Sequence, residues 1–98
     1  MRNSILIFSK IGCPYCKKAK DFFNSLNLPY QETILDPNEP NYISKRDNLF
    51  NNADHRSYPI IYIGNYFVGG YSELIHSYNT LKLHKICANI GLYVPFDF

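Results

Sequence analysis

The apolar run Ile5 to Phe8 gives way within a few residues to Cys13-Pro14-Tyr15-Cys16, and then to a lysine-studded helical pattern. That junction constrains the chain more than any other feature. Two thiols three residues apart, where a strand hands over to a helix, place one sulfur at the exposed helix N-terminus. The other lies one turn inside, within reach of a small disulfide. Pro14 suits the first helical position, because its missing N–H would have had no intrahelical partner there. The unpaired amides and the helix dipole favour a thiolate at Cys13. The pattern points to redox chemistry or to half of a zinc site.

The chain has 98 residues, 46% of them hydrophobic, enough for one modest core and not two. One domain is expected. No segment approaches the ~20 apolar residues of a membrane span. The first apolar run ends too soon, at Ser9-Lys10, for a signal-peptide core. The expectation is therefore a soluble, cytoplasmic chain with no membrane association. A formal charge of +2 is too weak to argue for nucleic acid. The only basic cluster, Lys10, Lys17, Lys18 and Lys20, surrounds the cysteines. Three cysteines without a secretory signal argue against a disulfide framework, so the close pair reads as catalytic or metal-binding.

Ser4 to Phe8 reads as a strand. Ala19, Phe22, Phe23 and Leu26 then recur at the i, i+3, i+4, i+7 spacing of an amphipathic helix. Asn27 to Pro29 breaks it, Tyr30 to Leu35 reads as a second strand, and Asp36-Pro37-Asn38 is a loop that caps a helix from about Glu39 to Phe50. Asn51 to Ser57 is polar loop. Ile60 to Ile63 and Tyr66 to Val68 form a hairpin about Gly64-Asn65. Ser72 is placed as N-cap of a helix through about Tyr78. Thr80 is placed to cap another through about Ile90, with Gly91 ending it. The order β-α-β-α-β-β-α-α implies parallel pairing of the first two strands and an antiparallel hairpin. An α/β architecture follows, a four-stranded mixed sheet with helices on both faces.

Three blocks now stand in order: Lys10-Ile11-Gly12-Cys13-Pro14-Tyr15-Cys16, Arg56-Ser57-Tyr58-Pro59 and Gly69-Gly70-Tyr71-Ser72-Glu73-Leu74. In this order and spacing they resemble the dithiol glutaredoxins of the thioredoxin superfamily, over roughly Ile5 to Ile90. The resemblance implies a thioredoxin-like fold in a domain of residues 1–91. It also implies a glutathione-dependent thiol–disulfide oxidoreductase, with glutathione as cosubstrate and a cis proline facing the cysteines. Its partners would be glutathione and glutathionylated or disulfide-containing proteins, and it would act as a monomer without nucleic acid.

Residue roles follow. Cys13 is expected to be the nucleophile, because the thiolate attacks and the helix N-terminus with Lys10 and Lys17 would lower its pKa from ~8.5. Cys16, one turn inward, is the expected resolving thiol. By resemblance, the backbone of Tyr58, before a cis Pro59, pairs with the cysteinyl part of glutathione. The N–H groups about Tyr71 and Ser72, after Gly69-Gly70, would hold the γ-glutamyl carboxylate. Lys10 and Arg46 are candidates for the glycyl carboxylate, Arg46 lying on the expected apolar stripe of the second helix. Tyr15 would line the groove. Tyr58 and Tyr71 are bulkier than the residues usual in the family at those positions. Arg56 reads as peripheral, Lys18 and Lys20 as a solvated face, and His55, His76 and His84 as surface or cap residues.

Two other chemistries are weighed on the same residues. His84-Lys85-Ile86-Cys87 would complete a Cys₃His zinc set, but it lies on a late helix that the fold places away from the first helix's N-terminus; Cys87 reads as a half-buried helix residue, and no metal is expected. An iron–sulfur carrier would ligate its cluster through Cys13 of two chains and two glutathiones, but Pro14 and Cys16 depart from that single-cysteine subgroup. A redoxin reduced by a thioredoxin-reductase-type flavoenzyme is the remaining alternative, against which Lys10 and the Gly69 to Ser72 block favour glutathione. The aromatic tail, residues 92–98, is expected to fold back onto the domain.

Overall fold

The computed structural model describes residues 4–96. β1 (Ile5–Lys10) alternates, with Ile5, Ile7 and Ser9 buried on one face and Leu6 and Phe8 half-buried on the other. It is the central strand. β2 (Tyr30–Leu35) pairs with it in parallel, from Ile5 opposite Tyr30 to Lys10 opposite Leu35. β3 (Ile60–Ile63) lies antiparallel on its other side, and β4 (Tyr66–Gly69) lies antiparallel on β3. The order β2-β1-β3-β4 is the mixed sheet expected from the element order. β1 runs two residues beyond Phe8, because β2 offers partners as far as Leu35. Gly64, at φ 60°, takes the tight turn between β3 and β4, where a β-carbon is disfavoured.

A parallel pair needs a crossover, supplied by α1 (Pro14–Ser25). Cys16, Ala19 and Phe23 form its buried stripe. The helix ends because Asn27 adopts the left-handed conformation, φ 56°, while the Leu28 N–H bonds back to the Phe23 carbonyl at 3.0 Å.

α2 (Tyr42–Ala53) starts and ends three residues later than the spacing suggests. The segment before it is a turn, with the Glu39 N–H bonded to the Asp36 carbonyl and the Tyr42 N–H to that of Glu39. α3 (Tyr71–Asn79) has Gly70 as N-cap and not Ser72. α4 (Lys82–Ala88) is shorter than the expected Thr80 to Ile90. The Thr80 hydroxyl is engaged by the His76 and Ser77 carbonyls of α3, and Leu81 turns left-handed between the helices. Gly91, at φ 79°, closes the far end, where the Leu92 N–H reaches the Cys87 carbonyl at 2.9 Å.

Helices cover both faces. Ile5, Ile7, Ile61 and Ile63 pack with Ala19, Phe23, Leu74, Leu83 and Cys87 into the main core. Phe50 and Ala53 of α2 close a smaller one over Ile60. The tail contributes: Val94 belongs to the main core, and the His84 ring stacks between Tyr78 and Phe96, with centroids 5.4 and 4.5 Å away. His84 Nε2 donates to the Pro95 carbonyl at 3.2 Å. His84 is thus buried and not a surface or capping residue. Cys87 is fully buried and not half-buried, and burial pushes its thiol up to about 11. Asp97 and Phe98 of the tail lie outside the described residues. Among the described residues, no three His, Cys, Asp or Glu side chains cluster as metal ligands would. No helix among them is long and apolar enough to cross a membrane.

Candidate active site

Gly12, at φ 77°, makes the turn from β1 into α1 and sets Cys13 as the N-cap. Cys13 and Cys16 are joined as a disulfide, their Cα atoms 5.3 Å apart. The Cys16 N–H points at Cys13 Sγ from 3.2 Å. This is one of the amides an α-helix leaves unpaired at its start, so negative charge on that sulfur finds a donor already aimed at it. The two sulfurs differ in access. Cys13 is half-buried and Cys16 only 2% exposed. Cys13 is thus the sulfur open to an approaching group, and Cys16 lies behind it.

Two hollows flank the pair. The first, about 370 Å³, is lined by Lys10, Cys13, Pro14 and Cys16, and by Glu32 and Ile34 of β2 on its far wall. The second, about 380 Å³, brings together Tyr15, Tyr58, Pro59, Tyr71 and Ser72. Eight of the nine sequence-predicted site residues thus fall into two groups separated only by the Pro14–Tyr15 step, Lys10 with the two sulfurs and Tyr15, Tyr58, Pro59, Tyr71 and Ser72 beside them. The Tyr15 and Tyr71 rings lie 5.9 Å apart, and Lys18 Nζ sits 5.2 Å from the Tyr15 ring centre, so Lys18 is not simply solvated. The Tyr58–Pro59 peptide bond is cis.

The Tyr58 phenol turns onto α2, where it packs against Phe50 and meets the Tyr42 hydroxyl at 3.2 Å. Burial first, then that hydrogen bond, raises its pKa well above the usual tyrosine value. Arg46 is not brought to the thiols. It forks onto Asp47 at 2.9 and 3.1 Å and lies over the Tyr42 ring, which leaves it in neither hollow. Lys17 pairs with Asp21 at 2.8 Å on the solvent side, so its charge is shared and not directed at Cys13 alone. Arg56 reaches Asn51 and is peripheral, as its sequence position suggests.

Sequence reasoning missed His55, Ser57 and Glu73 in the second hollow. His55 is half-buried, its ring edge-on to Phe67 and its Nε2 3.2 Å from the Ser57 hydroxyl, and so is not a plain surface residue. Glu73 reaches back to accept the Gly70 N–H at 2.7 Å. The signal for it was legible: a glutamate three residues after a helix N-cap is half of a capping box.

The glutaredoxin family model matches residues 5–68. The chain belongs to the glutaredoxin family. It is similar to glutaredoxin 1 of Rickettsia bellii, 36% identical over 85 residues that cover 86% of each chain. It is equally similar to mitochondrial glutaredoxin-2 of Bos taurus, 36% over 84 residues, which cover 85% of this chain and 48% of that one. The chain thus spans about half the length of the mitochondrial relative. Among solved structures, buckwheat glutaredoxin in complex with glutathione superimposes with a TM-score of 0.82 at 25% identity, covering 93% of this chain and 82% of that one. Oxidised glutaredoxin 2 of Chlamydomonas reinhardtii gives 0.76 at 28% identity, covering 90% and 82%. The fold is thioredoxin-like, membership of the glutaredoxins gives the chain a thiol–disulfide oxidoreductase role, and Cys13 and Cys16 fit the dithiol motif.

In this glutaredoxin the Gly70 N–H, first among the causes, holds the Glu73 carboxyl below its ordinary value of 4.5, aided by the Ser72 hydroxyl and His55. A carboxylate whose pKa is depressed on folding contributes stability above its unfolded pKa, and that contribution is lost as pH falls through the folded value. Glu73→Ala should therefore cost about 0.5–1 kcal/mol at neutral pH, the exposed setting keeping the loss small. Thermal melts of the two proteins from pH 7 to pH 3 should converge at the acid end.

Proposed function

We propose that this glutaredoxin reduces glutathione mixed disulfides and protein disulfides at the expense of glutathione, working as a cytoplasmic monomer. The observation that carries the reading is the asymmetric disulfide at the start of α1. An accessible Cys13 Sγ faces a helix amide, and a shielded Cys16 lies one turn inside. Beside it, the second hollow offers Tyr58-Pro59 backbone and the amides at the start of α3, groups suited to an extended peptide and its carboxylate. Lys10, in the first hollow, supplies a cation for the opposite end. The buckwheat relative's complex with glutathione supports the same ligand here.

In the monothiol route the Cys13 thiolate attacks the glutathione sulfur of a glutathionylated protein. The protein thiolate leaves, and a second glutathione thiolate attacks the glutathionyl sulfur to regenerate Cys13 and release oxidised glutathione. In the dithiol route Cys13 attacks a protein disulfide, Cys16 displaces the protein from the mixed disulfide, and two glutathiones reduce the Cys13–Cys16 bond. The Gly70 amide is already taken by Glu73, so the γ-glutamyl carboxylate is left with the next amides, those of Tyr71 and Ser72.

The test couples reduction of a glutathionylated substrate either to glutathione and glutathione reductase or to a thioredoxin-reductase-type flavoenzyme. Turnover is expected in the first system and not in the second. The reverse outcome would make the chain a redoxin of the other kind.

A further inference from the structure

α2 leaves part of the sheet uncovered. Its buried residues, Phe50 and Ala53, both lie in its last turn, over Ile60. Residues 36–41 form turns instead of a helical start, so nothing helical covers the β2 side. A third hollow of about 240 Å³ lies there, between Phe8, Thr33 and Leu35 of the sheet and Tyr42 and Leu49 of α2. Its walls are pinned before anything enters. The Tyr42 hydroxyl meets that of Tyr58 at 3.2 Å, and Lys45 Nζ lies 3.4 Å from Glu39 Oε2.

This hollow adjoins the redox site. Ile34, 52% exposed on the edge strand β2, borders both it and the hollow that holds the two sulfurs. Leu35 stands opposite Lys10, and Cys13 follows Lys10 by three residues. Chain and strand spacing then keep the Cα atoms of Leu35 and Cys13 within about 16 Å of each other. An extended polypeptide whose cysteine lies at Cys13 covers that span in about five residues.

The two hollows differ in charge. Around the sulfurs, Lys20, one turn beyond Cys16 on α1, turns inward to Glu32 with Nζ 3.1 Å from Oε2, and so is no part of a solvated face. Lys10 adds a further cation to that hollow. The third hollow carries Asp36 and Glu39 against Lys45, and Lys45 is engaged by Glu39. Asp36 accepts the Asn38 N–H at 2.9 Å, and its negative charge is the one in excess. Size narrows the occupant further. At about 240 Å³ the hollow falls below the roughly 300–1,000 Å³ of small-molecule sites and suits one large apolar side chain.

We infer that the third hollow receives an apolar side chain of a disulfide-bearing polypeptide substrate, with a basic residue next to it facing Asp36. That side chain belongs to a residue within about five positions of the substrate cysteine. The contact is the same before and during bond exchange, so it acts on binding: KM falls and kcat stays. A small mixed disulfide carries nothing to place there.

The inference rests on the proposed reduction of mixed disulfides by glutathione, and one coupled assay separates the two. Short peptides with a single cysteine, joined to glutathione as the mixed disulfide, carry Leu-Arg, Leu-Glu or Gly-Gly about five residues before or after that cysteine. In at least one placement the Leu-Arg peptide should have a KM about tenfold below that of the Gly-Gly peptide, with kcat the same. Leu-Glu should fall between them. Asp36→Asn keeps an acceptor for the Asn38 N–H and should narrow the preference for Leu-Arg over Leu-Glu by about two- to fivefold. Thr33→Arg sets a bulky cation in the hollow from an exposed strand position and should bring the three peptides to one KM. The mixed disulfide of glutathione with 2-mercaptoethanol should be reduced equally by wild type and both variants. Equal KM values for the three peptides in both placements, or a preference that survives Thr33→Arg, overturns the inference. So does a concentration-dependent dimer of the wild type that Thr33→Arg abolishes, since a second copy would then fill the hollow. A wild type that fails to reduce the mercaptoethanol compound overturns the glutathione reading beneath it.

Discussion

Cys13→Ser should bring the reduction of a glutathionylated substrate down to the uncatalysed background, while Cys16→Ser keeps most of that activity. The difference follows from access. Only Cys13 stands where an incoming disulfide can reach it with the Cys16 amide aimed at its sulfur. A serine hydroxyl there remains protonated at neutral pH and is no substitute for a thiolate. In the proposed dithiol route Cys16 is needed only when a protein mixed disulfide must be resolved from within. Cys16→Ser should therefore lose reduction of protein disulfides but retain deglutathionylation. The measurement is the glutathione-coupled assay on both substrate types with both variants. Full deglutathionylation by Cys13→Ser would refute the assignment of the nucleophile.

The largest expected loss of stability comes from Phe23→Ala. Phe23 is fully buried on α1, edge-on to Phe22 and tilted against Tyr30 of β2, in the core shared by α1, α3, α4 and the sheet. Truncating such a side chain removes its transfer free energy and leaves a cavity that the surrounding helices fill only in part. The expected cost is about 3–5 kcal/mol. For a domain of this size each kcal/mol lowers Tm by about 4–8 °C, so a fall of more than about 10 °C is expected. Tyr93→Ala, at a residue 72% exposed, should change stability by less than about 0.5 kcal/mol. Equal losses in the two variants would mean that the core is not organised around α1.

Much of this frame is written locally. Tyr30–Leu35 and Ile60–Ile63 have the same bounds in sequence and structure, because proline precedes each strand and a turn follows it. Helix starts were less legible. Ser72 and Thr80 have the chemistry of caps, yet the preceding glycine caps α3 and the Thr80 hydroxyl bonds backward into the helix it ends. Whether a side chain that likes carbonyls turns forward or back is decided by the chain on either side of it. The site divides in the same way. The thiol pair, Lys10, Pro59 and the α3 start are carried by short motifs, and the structure sets them in two hollows, Lys10 with the sulfurs and Pro59 with the α3 start. Arg46, Glu32, Lys20 and His84 depend on which side of a helix or strand the tertiary packing presents, and a spacing pattern alone does not fix that. Arg46 has an acidic neighbour in Asp47 that captures it, whereas Glu32 lies opposite Ile7 in the sheet register and so follows a buried position inward.

The depth of Cys87 makes the third thiol a clock. With its pKa pushed up to about 11 and no solvent contact, it is sealed against alkylating reagents for as long as the main core stays closed. The disulfide masks the other two sulfurs, so in the oxidised protein every alkylation event at Cys87 records one opening of that core. The rate of labelling under native conditions then reports the opening of that core, its equilibrium with a slow reagent and its frequency with one that outpaces reclosing. No tryptophan, tag or engineered probe has to be introduced to obtain it.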